Sequence, residues 1–160
     1  MADSARRAAR AGIANLLFVQ AAIETLPVEL TGVADRITVN YPWGSLLRAV
    51  AAPDIGLLAA IAGTGRPGAT FTLLVNMSVF DDAGYCARLG LPHPPILADA
   101  GAAVAAFGAA GLDVTAVVAD LAVLPYKTSW GQRLVRGSRR RILRLDAITR
   151  ALPKRPPRAD

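Results

Sequence analysis

Two tryptophans occur in the 160-residue chain, and each stands where a flat ring could do chemistry. Trp43 lies in Asn40-Tyr41-Pro42-Trp43-Gly44, directly after a β-branched stretch, Arg36 to Asn40, that reads as a strand. A polar residue at the strand's end, a proline that fixes the turn and then an aromatic ring put a stacking surface at the mouth of a site. A nucleobase is a planar group that could use it. Trp130 stands in Thr128-Ser129-Trp130, immediately before an arginine-rich stretch. Two rings at ligand-facing turns could hold a flipped base between them, and both could equally cap a core; composition alone does not separate the two.

The charge distribution favours a polyanionic partner. Residues 1 to 126 hold seven Arg/Lys against ten Asp/Glu, a net −3, whereas residues 127 to 160 hold eleven against two, a net +9. Neutralising phosphates with such a segment releases condensed counterions. A solvated tail accounts for Lys154 to Arg158 among their prolines, but less well for arginines interleaved with Leu134, Val135, Ile142, Leu143 and Leu145. Glu24, in Ala21-Ala22-Ile23-Glu24-Thr25-Leu26-Pro27, could accept a hydrogen bond from a nucleoside amino group or cap a short helix after Pro27.

Other candidates carry less. Gly63-Thr64-Gly65-Arg66-Pro67-Gly68 matches a dinucleotide-binding string but follows a helix and precedes a strand, the reverse of a phosphate-cradling loop, and Pro67 removes a donor. It reads as an ordinary turn. His93 sits among Pro92, Pro94 and Pro95 without a second ligand at metal spacing, so no metal is expected, and Cys86 has no partner base in view. One cysteine excludes a disulfide framework and agrees with the cytoplasm. Neither apolar run reads as a targeting or membrane segment: Asn15 and Gln20 interrupt the first, and Ala100 to Leu112 is too short.

The elements that must position these residues alternate. A basic helix over 3–11 ends at Gly12. Strands are expected at Asn15–Gln20, Arg36–Asn40, Ala69–Asn76, Val114–Leu121 and Arg141–Ile148. Helices are expected at Ser45–Val50, from Pro53-Asp54 to about Ala62, and at Ile96–Ala110 with Gly111 as its stop. This order implies an open α/β domain over 1–150, with a mostly parallel sheet ending in an antiparallel pair, followed by a basic Pro-rich tail over 151–160. Ligands in such sheets sit at the carboxyl ends of the strands. Those ends here are Ala21–Glu24, Asn40–Gly44, Asn76–Phe80 and Leu121–Trp130.

Three motifs carry a family resemblance over nearly the whole chain. They are Asn15-Leu-Leu-Phe-Val-Gln-Ala-Ala-Ile-Glu24-Thr-Leu-Pro27, Ala34-Asp-Arg-Ile-Thr-Val-Asn40-Tyr-Pro-Trp43-Gly-Ser45-Leu-Leu47, and Ser129-Trp130-Gly-Gln-Arg133-Leu with Gly137-Ser-Arg139-Arg140-Arg141. Together they resemble the aminoglycoside-resistance 16S rRNA (adenine(1408)-N(1))-methyltransferases of the kanamycin-apramycin type. The resemblance implies a Rossmann-like class I S-adenosylmethionine-dependent methyltransferase fold and methylation of N1 of adenine 1408 in assembled 30S subunits. It further implies that Ile23 and Glu24 border the cofactor's adenine and that Asn40 and Ser45 lie beside the cofactor. Trp43 and Trp130 would stack on the flipped adenine, Thr128 would line the pocket, and Arg133, Arg139, Arg140 and Arg141 would grip rRNA phosphates. A cytoplasmic monomer with no membrane partner is the accompanying expectation.

Two positions depart from the family's pattern: Gln132 stands where a basic residue is common, and Asn40 where an apolar one is. Nothing in the chain resembles the family's first strand with its glycine-rich loop, or the second strand with its ribose-binding acid. The resemblance thus implies a fold lacking its first two strands, through a late start or a truncated copy. In the family's strand order, 3-2-1-4-5-7-6, those strands would separate Asn15–Gln20 from Arg36–Asn40. The competing reading is a noncatalytic RNA-binding remnant that uses the basic segment alone.

Overall fold

The computed structural model describes residues 2–121 and 141–150. Its elements in chain order are α1 (Ala2–Arg10), β1 (Ala34–Asn40), α2 (Gly44–Ala51), α3 (Ile55–Ala62), β2 (Gly65–Asn76), α4 (Ala83–Leu89), α5 (Ala100–Ala109), β3 (Leu112–Val118) and β4 (Ile142–Thr149). Short 3-10 turns at Ile23–Thr25, Val28–Leu30, Met77–Asp81 and Ile96–Ala98 connect them.

Among the described residues the strands form one sheet in the order β1-β2-β4-β3. β1 runs parallel to β2, and β4 lies antiparallel to both β2 and β3. This is the 4-5-7-6 portion of the expected order, with the last strand inserted between its two predecessors. The expectation of a mostly parallel sheet does not hold for these strands. β4 separates β2 from β3, so two of the three pairings are antiparallel.

Alternation along the strands divides the sheet into two unlike faces. Ile37, Phe71, Leu73, Leu145 and Ala147 belong to one buried cluster with Leu47 and Val50 of α2, Leu58 and Ile61 of α3, and Phe107 of α5. The other face carries a small cluster of Tyr41, Leu74 and Ile142. Beside it is a polar group in which Thr72 Oγ1 donates to Asp146 Oδ1 at 2.9 Å and Arg144 Nε meets Asp146 Oδ2 at 2.8 Å. Helices α2, α3 and α5 therefore cover the first face, where the strands place most of their large apolar residues.

Helix boundaries follow short polar caps. Asp54 accepts from the Leu57 amide at 3.0 Å to start α3, and Asp99 accepts from Ala102 at 3.1 Å to start α5. The Asp99 cap corrects the expected continuous helix from Ile96: a 3-10 turn over Ile96–Ala98 precedes it. Helix α4 was not legible from periodicity. It is seven residues long, capped by Asp82 and stopped by Gly90 at φ 61°.

Two further expectations are corrected. Residues 15–20 form no strand; Leu17 is 79% exposed, and Leu16, Phe18 and Val19 are also exposed. An apolar run becomes a strand only where a neighbour takes up its N–H and C=O groups, and β1 pairs with β2 alone among the described strands. β2 also starts at Gly65 rather than Ala69, so the glycine-rich string is mostly the irregular beginning of a strand.

Candidate active site

The end of the sheet at which β1 and β2 finish collects the chemistry. The Tyr41 amide donates to Leu74 O at 2.8 Å, Met77 N to Arg141 O at 2.8 Å, and Leu121 N to Ile142 O at 2.9 Å. These bonds draw the exits of β1, β2 and β3 and the entrance of β4 together. Three of the expected strand-end segments, at 40–44, 76–80 and the start of 121–130, therefore share one end of the sheet.

The backbone between β1 and α2 is held in an uncommon conformation. Tyr41 takes φ 51°, and it is buried with Leu74 and Ile142 on the second face of the sheet. A bulky residue at positive φ is disfavoured, and such positions cluster at functional sites. Gly44 follows at φ 61°, which glycine tolerates. Between them Trp43, at the N-cap of α2, has extended backbone and a ring that is 59% exposed. The reading in which Trp43 caps the core is thus set aside; the ring faces outward beside Tyr85 of α4, with ring centroids 6.4 Å apart and planes 43° apart. The Arg88 guanidinium lies over the Tyr85 ring, 5.5 Å from its centroid.

On the helix side of this turn lies a cleft of about 480 Å³, lined by Glu24, Ser45, Arg48, Asp54, Leu57 and Ala60 among others. The volume falls within the range usual for small-molecule sites, ~300–1,000 Å³. Glu24 and Ser45, 21 positions apart, therefore meet in one place. Glu24 lines the cleft, and the turn after Pro27 has no side-chain cap hydrogen bond, so the capping alternative for Glu24 falls away. Ile23 packs against the main core, and Asn40 stands at the end of β1 opposite Leu74. Arg48, which sequence reading did not single out, lines the cleft and donates to Leu89 O at 3.5 Å.

Of the arginines expected to meet phosphate, Arg141 is described. It pairs with Asp81, and its amide donates to Ser78 Oγ at 3.0 Å, which sets it at the same end of the sheet. Thr128, Trp130, Arg133, Arg139 and Arg140 lie outside the described residues, as does 151–160. Cys86 is buried, with Sγ 3.6 Å from Val79 O. Among the described residues no group of three His, Cys, Asp or Glu could hold a metal, and no single helix is long and apolar enough to cross a membrane.

A family model described as NpmA, 16S rRNA (adenine(1408)-N(1))-methyltransferase, matches residues 1–149. The chain belongs to this family. A 16S rRNA (adenine(1408)-N(1))-methyltransferase of Streptoalloteichus hindustanus is 34% identical over 142 residues, which are 83% of this chain and 61% of the relative. One from Escherichia coli is 33% identical over 87 residues, 54% of this chain and 40% of the relative. The chain thus spans about two fifths to three fifths of these relatives' length.

Solved structures of the family agree in fold. The aminoglycoside resistance methyltransferase NpmB1 superposes with a TM-score of 0.72 at 40% identity, covering 88% of this chain and 64% of that one. A W203A mutant of the Catenulisporales acidiphilia 16S rRNA (adenine(1408)-N(1))-methyltransferase, solved with SAM as cosubstrate, gives 0.74 at 29% identity, covering 98% of this chain and 72% of that one. The sheet described above is therefore part of the Rossmann-like fold of S-adenosylmethionine-dependent methyltransferases.

Proposed function

We propose that this chain acts in S-adenosylmethionine-dependent methylation of N1 of adenine 1408 in the 16S rRNA of the 30S subunit, a modification that gives aminoglycoside resistance. The observation that carries the reading is the outward-facing Trp43 ring at the end of β1, beside a cleft that joins Glu24 and Ser45. Family membership supports the substrate, and a family structure solved with SAM supports the cofactor class.

The donor set of the cleft fits a nucleoside cofactor. Glu24 and Asp54 are acceptors for amino or hydroxyl hydrogens, Ser45 offers a hydroxyl, and Leu57 with Ala60 supplies apolar floor. S-adenosylmethionine contributes an electrophilic sulfonium methyl when bound. Glu24 and Ser45 are assigned to hold it, with Ile23 and Asn40 beside them. Adenine N1 carries a free lone pair once the base leaves its stack, so no strong base is required. The protein's contribution is orientation: Trp43 and Trp130 hold the two faces of the flipped base, Thr128 lines its pocket, and Arg133, Arg139, Arg140 and Arg141 dock rRNA phosphates. The site of action is the cytoplasm, where assembled subunits are found.

Primer extension on 30S subunits treated with the protein and S-adenosylmethionine tests the reading, because N1-methyladenine blocks Watson-Crick pairing and stops reverse transcriptase. One new stop next to adenine 1408 is expected. A stop elsewhere, or methyl transfer without a stop, overturns the target and the chemistry. Isothermal titration with S-adenosylmethionine separates the enzyme from an RNA-binding remnant, which shows no heat of cofactor binding.

A further inference from the structure

Trp43 has a fixed backbone but a ring that the core does not hold. Its carbonyl oxygen accepts from the Leu47 amide at 3.5 Å at the start of α2, while its side chain is 59% exposed. An exposed indole left to itself samples several rotamers, and each must be given up when a base stacks on it. Among the described residues the aromatic ring that meets it is Tyr85, at 6.4 Å and 43°, within the range in which tilted aromatic pairs attract.

The short helix that carries Tyr85 is anchored at both ends. Its amide donates to Asp82 Oδ1 at 2.9 Å, and its neighbour Cys86 is fully buried. The C-terminal end of α4 is tied to α2 where Arg48 Nη2 donates to Leu89 O at 3.5 Å. Arg88, one helical turn beyond Tyr85, lies 5.5 Å over its ring and places a positive charge beside the aromatic pair.

We propose that Tyr85 is a positioning residue for Trp43: α4 presents its ring, under the Arg88 guanidinium, so that the Trp43 indole is oriented for stacking before RNA arrives. This deepens the reading above and rests on it for the identity of what Trp43 stacks on. The consequence is a preorganised platform whose benefit appears in binding of the base, with the cofactor cleft left as it is. Tyr85 touches neither cofactor nor methyl group in this assignment. Its hydroxyl is not required, so phenylalanine can replace it.

The test separates the contact from its use. In a Trp130→Phe background, Trp43 is the sole tryptophan, and its fluorescence anisotropy decay and acrylamide quenching are measured without ligand. Tyr85→Leu, which removes the ring but keeps a branched apolar side chain and a good helix former, is expected to increase both the fast local rotation of the indole and its quenching; Tyr85→Phe is expected to retain the parent values. Far-UV circular dichroism checks that the helices persist in each variant. In the chain with both tryptophans, a short oligoadenylate is the probe. Tyr85→Leu should weaken its binding by roughly two- to tenfold, the scale of one aromatic contact, and Tyr85→Phe should restore it. Unchanged anisotropy and quenching in Tyr85→Leu, or a Tyr85→Phe protein that behaves like Tyr85→Leu, overturns the proposal. An oligoadenylate that leaves tryptophan fluorescence of the parent chain unaltered overturns the stacking reading instead, because the ligand-free measurements still decide the role of Tyr85.

Discussion

The hydroxyl of Thr149, the last residue of β4, accepts a hydrogen bond from the backbone N–H of Ala69 at 2.9 Å, across 80 positions of sequence. The same hydroxyl donates to the carbonyl oxygen of Arg66. One buried side chain, 2% exposed, thereby holds the irregular start of β2 against the end of β4. The lock closes the open end of the β2–β4 ladder, which runs from Thr70 opposite Ile148 to Asn76 opposite Ile142.

Thr149→Val keeps the shape and removes the hydroxyl, leaving the Ala69 amide buried without its partner. The expected loss is about 1–3 kcal/mol, read as a lower urea midpoint at unchanged m-value. Thr149→Ser should recover most of it.

Gly65 lies in the same lock, where a Cβ would stand 2.9 Å from Thr149 Cγ2 and 3.0 Å from Ile37 Cδ1. Gly65→Ala is expected to destabilise by roughly 1–3 kcal/mol, because both neighbours belong to packed strands. Gly108 in α5 has open space at its Cβ position. Gly108→Ala should stabilise by roughly 0.5–1 kcal/mol, so the two alanines move the thermal midpoint in opposite directions.

Trp43→Ala removes an exposed ring and should change stability by less than about 0.5 kcal/mol. Its effect belongs to recognition: loss of base stacking is worth roughly 1–3 kcal/mol. Methylation of 30S subunits should fall accordingly, with S-adenosylmethionine affinity by isothermal titration nearly intact. A near-parent methylation rate removes Trp43 from the assigned site.

The Arg150 guanidinium hydrogen-bonds to Asp113 and holds its carboxyl below the ordinary aspartate range; desolvation opposes the shift, and the Arg150 charge adds to it. A carboxyl with a lowered folded-state pKa stabilises the fold above its unfolded value, near 3.9, and loses that contribution as pH falls through the folded value. Arg150→Gln should move the Asp113 titration upward, followed by carboxyl carbon chemical shift. Because both side chains are more than half exposed, stability at neutral pH should hardly change.

Chain-local physics made much of this molecule legible. The β-branched run before Asn40 became β1, the apolar periodicity after Gly44 and Asp54 became α2 and α3, and the basic bias after residue 126 stood out by counting. The prominence of Trp43 followed from its place after a strand and a proline, and the structure exposes it there. These signals are short-range, so one sequence contains them.

What remained hidden depended on partners distant in the chain. The runs at 15–20 and 36–40 both read as strands, yet among the described residues the second is the one that pairs with a neighbouring strand. Helix α4 is too short to show a period, and its Asp82 cap and Gly90 stop were its available signals. With it Tyr85 and Arg88 went unnoticed, although Tyr85 is the ring that meets Trp43.

Residue types and their local order mark which side chains have the chemistry to bind a base, a nucleoside or a phosphate, and most of the local elements that carry them. The folded chain adds that Glu24 and Ser45 share a cleft, that Arg48 ties α2 to α4, and that Thr149 fastens the start of a strand 80 positions earlier. Side-chain chemistry and local backbone preference are properties of single residues and their neighbours. Convergence is set by the packing of one sheet face against its helices, which no local stretch of sequence contains.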